Sequence, residues 1–346
     1  MKYYALGVMS GTSLDGIDLA LCVFHKKRNY WQFNIKKTKT FRYNKYWRKT
    51  LKNLPLKSNK EIEKKDKEYG CLIAKNIISF IKNEEVDFIA SHGHTIFHQP
   101  ENKFTLQIGS GQIIAKKTKK KTISNFRITD VSLNGQGAPL VPIGDLLLFP
   151  EYKYCLNLGG FANISIKEKD SIKAFDICPT NIILNKLCEK INLDYDHNGN
   201  LARSGKLIPT IINKLNSLPF YKKEAPKSLG REWVEENIYP VIMNNSYNTA
   251  DLLRTFSEHI AIQIGRFLKD KETLLTGGGA HNTFLVNRIQ YHSSSKIILP
   301  NKKIIDFKEA LVFGFLGLLR IKNKINCLKS VTGADKDSCS GIIHNI

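Results

Sequence analysis

Three times along the 346 residues, a short hydrophobic run ends on a glycine turn, and no other feature limits the possible folds so sharply. Residues 3–8 lead into Ser10-Gly11-Thr12-Ser13-Leu14-Asp15-Gly16, residues 154–158 into Gly159-Gly160, and residues 273–276 into Gly277-Gly278-Gly279. Aliphatic and aromatic runs of this length, bounded by glycine, predict strands. Glycine lets the main chain turn sharply because no Cβ stands in the way. After the first turn, residues 17–24 alternate as a second strand would, giving a strand–turn–strand hairpin, and residues 163–166 run on from the Gly-Gly turn in the same manner.

Between these turns the pattern switches period. A lysine- and glutamate-rich stretch, 59–83, carries apolar residues at helical spacing, and residues 86–90 then read as a buried strand. Further strands are predicted at 104–108 and 122–124, and helices at 251–269, 283–290 and 306–320. Alternating strands and helices place the chain in the α/β class. Its length makes two domains the expectation. Gly135-Gln136-Gly137-Ala138-Pro139-Leu140-Val141-Pro142 disfavours helical backbone and suits a passage between halves. The expected division is residues 1–128 with 331–346 in one domain and 129–330 in the other.

With 42% hydrophobic and 24% charged residues, the chain falls in the ordinary globular range. No apolar run reaches bilayer length, and Met1 leads directly into the first motif rather than into a signal-peptide core, so a cytoplasmic protein with no membrane partner is expected. The seven cysteines are odd in number, scattered and without a CxxC pair, which reads as reduced thiols. A net charge of +22 raises nucleic acid as a partner, but the excess is diffuse and no recognition module accompanies it, so none is expected.

Polyphosphate needs backbone N–H groups brought close, and glycine turns allow that approach. Residues 10–16 offer hydroxyl and N–H donors to the outer phosphates, while Asp15 and Asp18 suit the water shell of Mg²⁺. The Walker lysine is missing and the turn enters a strand rather than a helix, which excludes the P-loop class. At the third turn, Gly277 to Gly279 can pass beneath a purine or ribose, with Asn282 offering hydrogen bonds. Each turn alone also reads as a plain connection. Asp176 follows an apolar pair and precedes a helix that Thr180 or Asn181 can cap; it reads either as a general base or as a turn aspartate. His92 and His94 alternate at a strand end, either as polar loop residues or as metal ligands. Arg127 and Asp130 read as a compact charged pair, which is also what an ordinary salt bridge looks like.

Taken together, the motifs resemble the anhydro-N-acetylmuramic acid kinases of the actin-like ATPase superfamily. The resemblance runs end to end. It rests on Met9 to Asp18, Ser91-His92-Gly93-His94-Thr95, Thr105-Leu106-Gln107-Ile108-Gly109, Asp130 with residues 135–142, Asn157-Leu158-Gly159-Gly160-Phe161-Ala162-Asn163, Phe175-Asp176, Gly277 to Asn282 and Glu309-Ala310. It implies an α/β, two-domain actin-like (ribonuclease H-like) fold with mixed sheets and a central nucleotide cleft. It also implies an ATP- and Mg²⁺-dependent reaction that opens the 1,6-anhydro ring of anhydro-N-acetylmuramic acid with water and phosphorylates O6. Asp176 aligns with the family's catalytic base, with Glu309 as its catalytic companion. Thr95, Arg127, Gly137, Ala138 and Asn181 fall at sugar-side positions. ATP is expected at Gly11, Thr12, Ser13, Leu14, Asp15, Gly16, Ile17 and Asp18, at Gly159, Gly160 and Asn163, and at Gly277, Gly278, Gly279 and Asn282, with Asp18 on the metal. A homodimer and a role in peptidoglycan recycling are implied as well.

The chain departs from the family pattern in places. Many members read Asp-Thr-Gly-Pro-Gly-Asn where this chain has Asp176-Ile177-Cys178-Pro179-Thr180-Asn181, and His94 and Phe97 stand where glutamine and a basic residue are common. The competing classes are a nucleotide-binding sugar sensor or assembly protein with little turnover, and a metal-dependent hydrolase built on His92 and His94.

Overall fold

A computed structural model of the chain describes residues 1–11, 14–28, 30–169, 171–243 and 247–346. The chain forms two compact units, one made of Met1–Phe149 with Phe307–Ile346 and the other of Pro150–Asp306. Each is built on a mixed sheet, the α/β arrangement expected.

The first unit contains strands β1 (Lys2–Met9), β2 (Gly16–Lys27), β3 (Tyr30–Arg42), β4 (Phe88–Ser91), β5 (His94–Gln99), β6 (Phe104–Ile108) and β7 (Lys121–Ser124). The second contains β8 (Tyr154–Leu158), β9 (Phe161–Lys167), β10 (Ile172–Pro179), β11 (Glu272–Thr276) and β12 (Lys296–Ile298); β13 (Ile342–His344) returns to the first. The large sheet of the first unit runs β13-β7-β4-β1-β2-β3, and that of the second runs β10-β9-β8-β11-β12. In the first, β1, β2 and β3 are joined antiparallel and β4 and β7 follow in parallel. In the second, β8, β9 and β10 are antiparallel and β11 and β12 follow in parallel. The same topology is therefore used twice, with β13 added antiparallel on the outer edge of β7 and a separate β5–β6 hairpin in the first unit.

β1 is covered on both faces, which explains its nearly continuous apolar run. Leu6 and Val8 join Ile17, Leu19 and Leu21 in a core closed by the helix Asn59–Ile81. That helix buries Ile62, Tyr69, Ile73, Ile77 and Phe80 at helical spacing and opens on a capping box, Ser58 and Glu61. On the other face lies the helix Lys302–Ile321. A Cβ on Gly7 would fall 1.7 Å from the Ala310 carbonyl oxygen, and one on Gly317 2.7 Å from Ala90. Strand and helix backbones meet there with almost nothing between them. In the second unit Leu156, Leu158, Ile164 and Ile177 pack against the helices Asn181–Glu189 and Thr249–Gly265.

The division falls at Phe149 and Phe307 rather than at 128 and 331, for a physical reason. Asp130 is fully buried and accepts from Gly137 N at 2.7 Å, Thr332 Oγ1 at 2.7 Å and Cys327 Sγ at 3.0 Å. The Gly-Pro segment is thereby fastened inside the first unit. A buried ion pair, Lys308 to Asp145 at 2.9 Å, ties the last long helix to the helix Pro142–Leu148 of the same unit. Among the described residues, no helix is long and apolar enough to cross a membrane.

Candidate active site

In the first unit candidate residues lie at the close of β1 and the openings of β2 and β5. Ser10, buried at the close of β1, is a hub: its Oγ lies 2.7 Å from Tyr43 Oη and 3.1 Å from His94 Nδ1, and it accepts from Tyr69 Oη at 2.8 Å. The two tyrosine hydroxyls also bond to each other. Burial lowers His94 to a pKa of about 4, which keeps its ring neutral. Thr12 and Ser13 lie outside the described residues. Leu14 adopts φ +60°, and Tyr43 N donates to the carbonyl of the exposed Asp15 at 3.2 Å. Gly16 is glycine because of its neighbour strand, since a Cβ there would sit 2.5 Å from Phe41 O. Ile17 is a core residue.

Asp18 stands one register step beyond that turn, opposite Met9 and Thr40, and accepts from Thr40 Oγ1 at 2.5 Å. Glu309 follows a break in its helix at Phe307, φ −125° and ψ 16°. Burial raises the Glu309 carboxyl above its ordinary range; the neighbouring Lys308 opposes that, the Asp18 carboxylate reinforces it, and Arg127 opposes it. Among the described residues no group of three or more His, Cys, Asp or Glu side chains that could hold a metal is found; what Asp18 and Glu309 offer is hard carboxylate oxygen, the donor type Mg²⁺ takes beside its waters.

Arg127 donates from Nε and Nη2 to His92 Nε2, at 3.1 and 2.9 Å, and from Nη1 to Gly137 O at 2.6 Å. A guanidinium has no acceptor. His92 Nε2 is therefore the acceptor, and its Nδ1–H donates to Gly93 O at 2.9 Å. With both nitrogens engaged and a cation against one, His92 has no lone pair for a metal, which removes the hydrolase reading. The expected Arg127–Asp130 pair is not a direct contact among the described residues. The two side chains instead hold opposite ends of Gly137, Arg127 its carbonyl and Asp130 its N–H, while Gly137 takes φ +65° with Val131 Cγ2 2.6 Å from where its Cβ would be. Ala138 follows directly. Burial lowers Arg127 to a pKa of about 10, opposed by Glu309, Cys327 and Asp130. Thr95 is half-buried on β5 opposite Gln107.

In the second unit the candidates gather at the ends of β8, β10 and β11. The helix Asn181–Glu189 holds the Gly159-Gly160 turn by its carbonyls: Thr180 N and Ile182 N donate to Gly160 O at 2.8 and 3.3 Å, and Thr180 Oγ1 donates to Gly159 O at 2.7 Å. Neither Thr180 nor Asn181 caps that helix with its side chain. Asn181 Nδ2 instead donates to Leu158 O at 3.2 Å.

The five glycines divide into two kinds. Gly277, at φ +87°, would place a Cβ 2.6 Å from Asn157 Oδ1, and Gly279 one 2.7 Å from Leu158 Cβ, so the chain itself demands glycine there. A Cβ on Gly159, Gly160 or Gly278 would meet nothing nearer than 3.4, 4.0 and 3.9 Å. Their bareness is not required by the protein's own packing, and it leaves a cradle that side chains would fill. Such a surface fits a nucleotide approaching main chain. Asn282 Oδ1 is taken as the N-cap of the helix Thr283–His292, accepting from Leu285 N at 2.9 Å, which leaves its amide N–H groups for another partner.

Asp176 lies on β10 opposite Asn163, at a bulge between 176 and 178. Its N–H donates to Lys227 O at 3.0 Å, and its Oδ2 accepts from Leu229 N at 2.9 Å. Burial raises its pKa, partly offset by the Leu229 N–H. Cys178 and Thr180 stand where the family commonly has glycine, and both are buried. Neither is in the left-handed region, the Cys178 side chain is core, and the buried Thr180 adds its hydroxyl bond to Gly159.

Asp18 and Arg127 thus both act electrostatically on Glu309 in one unit, while Asp176 and the bare glycines belong to the other. The sequence reading missed Tyr43 and Tyr69 on Ser10, and the 227–229 segment on Asp176. Neither carries a local signal, since both depend on contacts made far along the chain.

A family model described as anhydro-N-acetylmuramic acid kinase matches residues 2–345. Anhydro-N-acetylmuramic acid kinase of Aliivibrio fischeri is 34% identical over 373 residues, covering 98% of each chain. The proteins of that name from Francisella tularensis subsp. novicida and Clostridioides difficile are each 34% identical, over 96% of this chain and 96% and 95% of theirs. Among solved structures, the activator of the 2-hydroxyisocaproyl-CoA dehydratase from Clostridium difficile with bound ADPNP superposes with a TM-score of 0.45 at 13% identity, covering 90% of this chain and 92% of that one.

Proposed function

The chain belongs to the anhydro-N-acetylmuramic acid kinase family and is a phosphotransferase acting on an alcohol group, and we propose that it couples hydrolysis of the 1,6-anhydro bond to phosphorylation of O6. Anhydro-N-acetylmuramic acid, water and ATP give N-acetylmuramic acid 6-phosphate and ADP. Water adds at C1, the C1–O6 bond breaks, and O6 takes the γ-phosphoryl group as the bond to the β-phosphate oxygen breaks. The product belongs to peptidoglycan recycling, and a cytoplasmic homodimer is part of the same reading.

The observation that carries it is Asp176. Its Oδ2 is held by one main-chain N–H, and its Oδ1 accepts no hydrogen bond among the described residues. Desolvation makes it a stronger base than an exposed aspartate. In this reading it takes the proton of the attacking water, with Glu309 beside Asp18 and Arg127 on the sugar and phosphate side. Gly159, Gly160 and Gly278 give the nucleotide main chain to approach, with Asn163 and the Asn282 amide nearby in sequence. Thr95, Gly137, Ala138 and Asn181 are the remaining sugar-side residues. Mg²⁺, held through Asp18, supplies charge neutralisation at the phosphates when bound.

The test is ADP release across a panel of 1,6-anhydro and reducing amino sugars, with the product mass read in ¹⁸O-water. ADP release on the anhydro sugar, with one labelled oxygen at C1 of a phosphorylated product, is expected. Equal rates on a reducing N-acetylhexosamine would make the protein a simple hexosamine kinase. ATP binding without sugar-dependent ADP release would make it a sensor.

A further inference from the structure

The segment that holds Asp176 is an exposed loop with an unusual anchor. Residues 223–230 connect the short helix Pro219–Lys222 to the helix Arg231–Asn237, and of these only Lys227 and Leu229 are not exposed. Leu229 packs at the edge of the second unit's core. Lys227 does something less common. Its ammonium lies over three aromatic rings, 4.9 Å from the centroid of Phe220, 5.5 Å from Phe267 and 5.8 Å from Phe175. The rings of Phe175 and Phe267 are themselves 5.0 Å apart. Lys227 Nζ also donates to Lys223 O at 2.9 Å, closing the loop on itself.

A cation enclosed by aromatic faces is held by the ring quadrupoles and resists leaving because its apolar stem is packed as well. The residue so held is the one whose carbonyl receives Asp176 N–H, and two residues later comes the N–H that Asp176 Oδ2 accepts. One of the three rings, Phe175, is the neighbour of Asp176 on β10. The cage and the carboxylate are therefore two ends of one clamp.

We infer that Lys227 is a positioning residue for the reaction, holding the 227–229 backbone against Asp176 so that one carboxylate oxygen is fixed and the other faces the reacting water. The inference rests on Asp176 being the base. Burial raises the Cys178 thiol and the Tyr221 hydroxyl further above their ordinary values and lowers His259 to about 3. The other charges at the cage are Lys227 itself and the Arg266 guanidinium.

The test compares Lys227→Met, which keeps the stem and loses the charge, with Lys227→Arg, which keeps both. Losing the Leu229 N–H removes stabilisation of the ionised carboxylate. In Lys227→Met the acid limb of the kcat–pH profile should therefore rise by about one unit, with kcat down about tenfold and both KM values within about twofold of the parent. Lys227→Arg should restore most of both. Hydrogen exchange of the 227–229 amides, followed in the same proteins, should quicken in Lys227→Met alone. Phe267→Leu, which thins the cage from the other side, should give a smaller shift of the same sign, and it replaces Lys227→Met if that variant does not fold. An unmoved acid limb, or unchanged protection of the 227–229 amides, overturns the inference. If the parent protein shows no sugar-dependent ADP release, the proposed reaction fails, while amide exchange still decides whether the cage holds the clamp.

Discussion

In the first unit the chain leaves β1 and reaches β2 only after residues 10–15, whereas in the second it leaves β8 and enters β9 after Gly159 and Gly160 alone. The strand succession around the two turns is the same, yet the turns do opposite things. The longer one carries a buried polar hub at Ser10 and opens onto Asp18, with Glu309 and Arg127 in electrostatic reach. The shorter one offers bare main chain, its carbonyls already occupied by the next helix. On the proposed reading the first unit's turn works through charged side chains and the second unit's through backbone, with Asp176 the charged exception. Using one topology twice lets a protein specialise its halves by the turn alone, since the sheet that positions the turn does not change.

The largest effect that would break this comparison lies at the exception. Asp176→Asn should lower kcat by about three orders of magnitude with ATP affinity unchanged, because the amide cannot accept the water's proton. In the parent enzyme, activity should fall as pH drops through a pKa raised above the ordinary aspartate range, since the base must be ionised to act. Near-normal turnover in the variant would remove the carboxylate from that role and leave the second unit purely backbone.

Glycine substitutions sharpen the comparison next. Gly7→Ala should destabilise the protein by about 3 kcal/mol in urea unfolding, because its Cβ collides with the Ala310 carbonyl. Gly160→Val, with open space around it, should leave the unfolding midpoint in place and raise KM for ATP about tenfold through obstruction of a ligand. Equal losses of stability in the two would mean that the bare glycines serve packing after all. The smallest effect belongs to Thr180→Val, which keeps the volume and removes the hydroxyl bond to Gly159 O. A loss of about 1 kcal/mol in stability is expected, and none at all would show that the main-chain bonds suffice to hold the turn.

Much of this arrangement was legible in the sequence, and the reasons are local. The hydrophobic runs before glycine read as strands because buried strands need continuous apolar residues and tight turns need glycine. β3 was not read, because its burial alternates between exposed and half-buried and its lysines look like a charged run; as the edge of its sheet it needs little hydrophobicity. The Gly-Pro segment at 135–142 looked like a linker because its composition is that of one. What holds it is Asp130, through partners at 327 and 332 that no local pattern reveals. The family motifs carried the candidate residues, and the difference between glycines that packing demands and glycines it does not became visible only with neighbours in place.

The near-contact of Gly7 with Ala310 also bears on how the protein is made. The strand emerges from the ribosome before the second unit, and residues 307–321 of the helix that covers it emerge only after all of Pro150–Asp306, a contiguous unit with its own core. Domains that are contiguous in sequence complete themselves during synthesis, so the second unit is finished while the first still lacks one side of its sheet. Until then Ala5, Gly7, Phe24 and Ala90, the face that Ala310, Gly314, Phe315 and Gly317 will cover, stand open to chaperones and proteases. A chain cut short before residue 307 would carry all of the second unit beside a first one whose sheet lacks that cover.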